Sequence, residues 1–234
     1  MTEFFTDPKL NDAYTETLKN IKQQHQKIMV LYKNLKKRTE IRSNKTKYQS
    51  IFGMFVAEYV KTLNPVNLDN NLSDICLQAR RLLELWISVK YINQKNLFDQ
   101  VPDACDQDRL EYLEGLKERD IADGLLFPSF DGIKPIAPSI QKNIDELKKA
   151  CINKTCKWPP VSKMAAEVNL QSEYKYFYKF SSKILHFCPF SLNNDPFFEG
   201  SLNKLIFLMR IQQYLARIKE ELDGIYNKTK LVNL

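Results

Sequence analysis

Apolar residues near the start of the chain recur at alternating intervals of four and three positions, which places them on one side of an α-helix. This stripe consists of Tyr14, Leu18, Ile21, His25, Ile28, Tyr32 and Leu35. Later segments have a similar periodicity, and only 6 of the 234 residues are glycine. That share is far below the typical value of about 7%, whereas a turn-rich β-protein needs many glycines. These features predict an all-α protein.

The sequence predicts a compact bundle of about seven helices with a long N-terminal helix. We expect residues 1–47 to form a basic helix and a polar connection over residues 42–47, and residues 48–234 to form a single helical-bundle domain. The second helix is expected to end at Asn64 and Pro65, because proline disfavours helical geometry in the residue before it. Further helices are expected over residues 71–93, 105–123, 139–152, 161–168 and 173–187, and from about residue 196 to residue 218.

Several classes of protein are excluded by the sequence. No apolar run approaches the roughly 20 residues that a membrane-spanning helix needs, and the N-terminus lacks the pattern of a secretory signal. The five cysteines include no CxxC pair, which is typical of a reducing compartment. No phosphate-binding glycine loop and no zinc-ligand spacing is present. We therefore expect a cytoplasmic protein without a membrane partner, a metal site or a cofactor.

Positive charge is concentrated in two parts of the chain. Of the net charge of +7, most lies in residues 1–48, which hold eleven Lys and Arg against five acidic residues. Residues 153–190 are basic again, with six Lys against two Glu. Such asymmetry attracts phosphate-bearing partners, although a solvated lysine-rich surface has the same composition.

The apolar helix expected over residues 71–93 carries one polar stripe. Its charged members are Arg80, Arg81 and Glu84. Either arginine is three or four positions from the glutamate, so either one is able to pair with it on the same side of the helix.

A second polar strip runs along the helix expected over residues 173–187. It consists of Lys175, Lys179, Ser182, Lys183 and His186. A hydroxyl, an imidazole and several ammonium groups on one strip suit the binding of a phosphate. The alternative interpretation is the solvated side of an amphipathic helix, with a cationic residue near its C-terminal end.

These segments together resemble a bacterial helical family of unknown function, the domain-of-unknown-function family numbered fifty-six seventy-seven. Its members carry Arg-x-x-x-Glu on one helix, a Trp-Pro turn, and Tyr-x-x-x-Ser-x-x-x-His on a later helix. The matching positions in this chain are Arg80 and Glu84, Trp158 and Pro159, and Tyr178, Ser182 and His186. The resemblance covers roughly residues 50–220 and implies no established activity.

The chain also resembles, more distantly, the HEPN helical domains, many of which are metal-independent ribonucleases of toxin and antiviral systems. In those enzymes four to six residues separate an arginine from a following histidine, and here six residues separate Lys179 from His186. The resemblance implies that His186 moves a proton near neutral pH, while Lys179 and Arg80 or Arg81 stabilise the charge on the phosphate.

The sequence therefore supports two hypotheses. In the first, a HEPN-like module binds RNA or another phosphate ligand and, as a metal-independent endoribonuclease of a toxin or phage-defence system, cleaves RNA. Its catalytic candidates are His186, Arg80, Glu84 and Ser182, and its substrate-binding candidates are Lys179, Arg81, Lys175, Lys183 and Tyr178. In the second, a non-catalytic protein-interaction or scaffold module forms a homodimer through the N-terminal stripe, and Arg80, Glu84, Ser182 and His186 form a structural network.

Overall fold

A computed structural model describes residues 8–39, 44–63, 72–126, 137–152, 158–185 and 201–231. Within these ranges the protein contains eight helices and no strand, so the predicted all-α class is confirmed. The helices are α1 (Pro8–Thr39), α2 (Asn44–Leu63), α3 (Leu72–Lys95), α4 (Val101–Leu126), α5 (Ala137–Cys151), α6 (Val161–Glu167), α7 (Gln171–Leu185) and α8 (Ser201–Leu231). None of these helices is both long enough and apolar enough to cross a membrane.

Three helices differ in length from the sequence-based expectation. The prediction of a polar connection through residue 47 was wrong, because α2 already begins at Asn44. Polar composition alone does not interrupt a helix, and residues 44–47 contain neither glycine nor proline. Helices α4 and α8 are also longer than expected. The expected start of the last helix at Pro196 lies outside the described residues.

The chain divides into two compact units. The first comprises Met1–Phe98 and Pro160–Leu234, and the second comprises Asp99–Pro159. Helices α1 and α2 both belong to the first unit. The two units meet in the sequence after Phe98 and after Pro159, and the expected boundary after residue 47 lies inside the first unit.

Helix α8 lies at the centre of the first unit, where it packs against α1, α2 and α3. Its fully buried hydrophobic side chains are Phe207, Leu208, Ile211, Tyr214, Leu215, Ile218, Leu222 and Ile225. Helix α3 is similarly apolar and also packs against α6 and α7. Burial of each large apolar side chain stabilises the fold by about 1.5–3 kcal/mol. Because α3 and α8 bury many such side chains and pack against each other, they form the main core of the unit.

The N-terminal apolar stripe is buried inside the same unit. Ile21, Ile28 and Leu35 are fully buried, and α1 packs against both α2 and α8. Four members of the stripe are therefore buried within the chain, whereas Leu18, His25 and Tyr32 are half-buried. The homodimer that the second hypothesis places on this stripe stays a prediction.

A tight connection positions α7 directly after α6. The backbone N–H of Leu170 donates to the carbonyl of Ala165 at 2.7 Å, and that of Asn169 donates to the carbonyl of Ala166 at 3.3 Å. These two bonds form a Schellman motif, which requires a left-handed residue at the position that Asn169 occupies with φ of 61°. Because both helices also pack against α3, the short connection fixes α7 beside α3.

The second unit contains the helix pair α4 and α5. Lys148 forms an ion pair with Glu114 at 2.7 Å, and Lys117 donates a hydrogen bond to Gln141 at 2.5 Å. These polar contacts link α4 to α5 within the unit.

Candidate functional site

The predicted pairing of an arginine with Glu84 occurs at Arg80. The Nε of Arg80 donates a hydrogen bond of 3.1 Å to Oε1 of Glu84, one helical turn further along α3. The Arg80 side chain is 19% exposed and that of Glu84 is 34% exposed, so the pair is only partly screened by solvent. Arg81 is exposed, and no ion pair with Glu84 is assigned to it within the described ranges.

Arg80 also joins α3 to α7. Its Cζ atom lies 4.1 Å from the centre of the Tyr178 ring, a cation–π arrangement. Burial disfavours the charge of Arg80, but the hydrogen bond to Glu84 and then the contact with Tyr178 outweigh this effect and raise the pKa of Arg80 above its ordinary value. The guanidinium is therefore a fixed positive charge beside the tyrosine ring.

Tyr174 extends this cluster by one turn of α7, although the sequence analysis did not select it. Its ring lies 5.3 Å from the ring of Tyr178 with an angle of 37° between the planes. Burial, and then the negative charge of Glu84, raise the pKa of Tyr174, so its phenol remains protonated at neutral pH. Residues four apart share one side of a helix, so the spacing between Tyr174 and Tyr178 is the sequence signal that could have placed Tyr174 beside Tyr178.

Two adjacent serines of α7 have different environments. Ser181 is fully buried, its carbonyl accepts from Sγ of Cys76 at 3.9 Å, and its hydroxyl donates to the carbonyl of Tyr178 at 3.2 Å. Ser182 is half-buried, and its buried Oγ has no hydrogen-bond partner within the described part of the chain. The serine that the motif selects is thus the one with unused hydrogen-bonding capacity.

Cys76 is a packing residue of this interface. Its thiol is fully buried between α3 and α7, and burial raises the pKa of Cys76 to about 12. A thiol in this state is a poor nucleophile, because the reactive species is the thiolate.

The predicted lysines lie on the exposed side of α7. Lys175, Lys179 and Lys183 are all exposed, and their four-residue spacing places them in a row along the helix. Tyr178 lies along one edge of this row and is 38% exposed. The structure therefore brings Arg80, Glu84 and Tyr178 into one cluster beside the lysine row.

His186 lies outside the described residues, as α7 is described up to Leu185. Its role as a proton donor or acceptor, and the roles of the other candidates, remain predictions. Among the residues that the structure describes, no group of three or more His, Cys, Asp or Glu side chains has a metal-binding arrangement.

A polar contact that the sequence analysis missed fixes the first turn of α7. The hydroxyl of Tyr214 on α8 donates a hydrogen bond of 2.6 Å to Glu173, and Arg210 forms an ion pair of 3.0 Å with the same carboxylate. Burial, followed by the contact with Glu173, raises the pKa of Tyr214. The signal in the sequence is a tyrosine within an apolar stripe, because a buried hydroxyl needs a partner.

Residues 68–204 match a family model described as a family of unknown function, DUF5677. The five positions on which the sequence resemblance rested, Arg80, Glu84, Tyr178, Ser182 and His186, fall inside this span. No curated protein and no solved structure matches the chain. The matched span covers more than half of the sequence, and the chain therefore belongs to the DUF5677 family.

Proposed function

We propose that this chain is a HEPN-like module that binds RNA through a surface formed by α3 and α7. This surface, here called the basic face, consists of Arg80, Lys175, Lys179, Ser182 and Lys183. The observation that carries the proposal is the contact of Arg80 with Tyr178, since it holds a guanidinium from α3 at the edge of the lysine row of α7.

The charge balance of the basic face supports binding of a polyanion. Of the described acidic residues beside it, Glu84 is paired with Arg80 and Glu173 with Arg210 and Tyr214, so the net positive charge of the face comes from its three lysines. The row of lysines has one ammonium group every four residues, an interval of about 6 Å along the helix axis. A row of this kind follows a phosphate backbone without reading its sequence.

Ser182 supplies a further argument for a polar ligand. Its Oγ is buried without a hydrogen-bond partner within the described residues. An unsatisfied buried hydroxyl costs about 1–3 kcal/mol, and rotation of the side chain toward the exposed lysines would let a phosphate oxygen offset this cost. Lys179 stands where HEPN enzymes have arginine. Its ammonium group is a point charge and lacks the planar, two-pronged donor geometry of a guanidinium, so it is suited to binding a phosphate but less suited to orienting it.

The catalytic part of the proposal depends on His186. An imidazole with an ordinary pKa near 6.5 exchanges a proton with an RNA 2′-hydroxyl or a leaving oxygen at neutral pH. Arg80 and Lys179 would stabilise the negative charge that develops on the phosphate. We propose metal-independent RNA cleavage of the kind used in toxin and phage-defence systems.

The rival function is a non-catalytic interaction or scaffold module. One observation favours it: Arg80 is mostly buried and already has two partners in the chain, Glu84 and Tyr178. In that case the cluster stabilises the packing of α3 against α7, and the exposed lysines serve solubility alone.

Binding to a fluorescein-labelled single-stranded RNA, measured by anisotropy over a range of salt concentrations, separates the two functions. We expect Lys175→Gln and Lys179→Gln each to weaken binding and to reduce the slope of log affinity against log salt by about 0.7, the value for one lost phosphate contact. Lys142→Gln is the matched control, because it removes the same charge from an exposed position on α5. Equal RNA affinities of the native protein and the three variants would support the scaffold function instead.

Cleavage requires a separate experiment. Total RNA is incubated in EDTA with the native protein and with His186→Ala. We expect degradation by the native protein and its loss in the variant. Intact RNA in both reactions, together with salt-sensitive binding, would restrict the function to RNA binding.

A further inference from the structure

We infer that Tyr176, supported by the ring of Phe180 behind it, forms a stacking platform for an unpaired RNA base, so that the ligand of the basic face is single-stranded. This inference rests on the proposed function and specifies its substrate class. Its basis is a series of three aromatic rings that leads from the core to the surface next to the lysine row.

The innermost ring belongs to Phe207 on α8, which is fully buried. The ring of Phe180 lies 5.3 Å from it with an angle of only 9° between the planes. The ring of Tyr176 follows at 6.4 Å from Phe180, at an angle of 20°. Both distances are within the range of favourable aromatic pairs, so Phe180 packs against the core residue Phe207 and in turn supports the outer ring of Tyr176.

The outermost ring is open to solvent. Tyr176 is 61% exposed although it belongs to an aromatic series anchored in the core. A tyrosine has few rotatable bonds, and a ring already held by neighbours loses little conformational freedom when a ligand stacks on it. Tyr176 is therefore prepared to contact a flat partner.

The surroundings of the platform indicate what that partner is. A groove of about 480 Å³ runs along this side of α7, and its lining within the described residues consists of Tyr176, Tyr178, Lys179, Phe180, Ser182 and Lys183. Aromatic rings beside exposed lysines complement a ligand that has both flat apolar faces and negative charges. A nucleic-acid strand has both in each nucleotide.

The inference of a single-stranded partner depends on whether the face of a base is accessible. In an RNA duplex each base is stacked between its neighbours, and a protein reaches only the groove edges, the 2′-hydroxyls and the phosphates. An unpaired base exposes its face and stacks on an aromatic side chain without sequence preference. Only an unpaired base is able to stack on the platform, whereas the lysine row is able to bind the phosphates of a single strand or of a duplex.

The test compares one RNA strand with the same strand annealed to its complement, both fluorescein-labelled and measured by anisotropy. We expect Tyr176→Ala to weaken binding of the single strand by about tenfold, the effect of one lost stacked base, and to leave binding of the duplex unchanged. Tyr176→Phe retains the ring face and should retain the affinity. Tyr112→Ala is the control, since Tyr112 is an equally exposed tyrosine on α4, 65% exposed.

The other outcomes separate this inference from the proposed function. If Lys179→Gln weakens binding and Tyr176→Ala does not, the platform is wrong and the basic face stands. A native protein that binds neither RNA overturns both. If Tyr176→Ala instead changes the sedimentation of the protein without RNA, the aromatic ring is a protein contact and the inference fails. Circular dichroism of each variant verifies that the fold is retained.

Discussion

The hydroxyl of Tyr214 donates a hydrogen bond of 2.6 Å to the carboxylate of Glu173. The two residues are 41 positions apart, and the bond connects the middle of α8 to the first turn of α7. Together with the Glu173–Arg210 ion pair, it fixes the end of α7 from which the basic face begins.

Tyr214→Phe tests the contribution of this bond to stability. The ring is fully buried and its packing is preserved, whereas the hydrogen bond to a charged group is lost. We expect the free energy of unfolding to fall by about 2 kcal/mol, as measured by urea denaturation. Tyr112→Phe, at an exposed position, should change it by less than about 0.5 kcal/mol. Equal effects of the two variants would contradict a stabilising role for the bond.

The Arg80–Tyr178 contact should appear as a coupling energy. In a double-mutant cycle with Arg80→Met and Tyr178→Leu, we expect the pair to contribute about 1 kcal/mol beyond the sum of the single effects. The pair Lys90 and Trp86 provides the comparison, because its cation lies further away, at 5.7 Å from the ring centre. A coupling no larger than that of this second pair would mean that the stacking of Arg80 does not stabilise the α3–α7 contact.

Two glycines in helices should respond in opposite directions to alanine. A Cβ atom at Gly53 would lie 3.0 Å from Leu35 and 3.5 Å from Ile225, both fully buried, so α2 is close to α1 and α8 there. Gly115 has open space around it. We expect Gly53→Ala to lower the free energy of unfolding by about 1 kcal/mol, since overpacking outweighs the gain in helix propensity.

Gly115→Ala increases helix propensity without steric crowding and should raise the stability of α4 by about 1 kcal/mol. Hydrogen exchange that resolves individual helices measures both changes. Stabilisation of α2 by Gly53→Ala would mean that Leu35 moves aside at low cost.

His25 should make the first unit sensitive to acid. Burial lowers the pKa of His25, and its Nε2 is buried without a hydrogen-bond partner within the described ranges. The folded state therefore binds this proton less readily than the unfolded state, so stability falls as pH decreases through the ordinary histidine pKa near 6.5. We expect His25→Gln to reduce the loss of stability between about pH 7 and pH 5.

Urea denaturation at a series of pH values measures this effect. His186→Gln removes the only other histidine and serves as the comparison. An unchanged pH dependence in His25→Gln would assign the acid sensitivity to other groups.

Local periodicity was sufficient to predict most of the fold. The apolar stripe of α1, the apolar helix over residues 71–93 and the all-α class follow from spacings within single helices, which the sequence contains directly. The Arg80–Glu84 pair is likewise local, because residues four apart share one side of a helix. Membership of the DUF5677 family rests on the sequence as well.

The remaining features of the candidate site depend on which helices pack together. Local spacing gives no direction in which one helix faces another. Both hypotheses therefore required the polar stripes of α3 and α7 to meet without naming the contact of Arg80 with Tyr178, and neither included the bond from Tyr214 to Glu173. The difference between the two serines is, by contrast, a local feature. Neighbouring residues on a helix point about 100° apart, so the spacing already placed Ser182 on the polar strip, and Ser181 is the one that is fully buried. The sequence determined the helices and their polar stripes, whereas the tertiary contacts decided which side chains those stripes bring together.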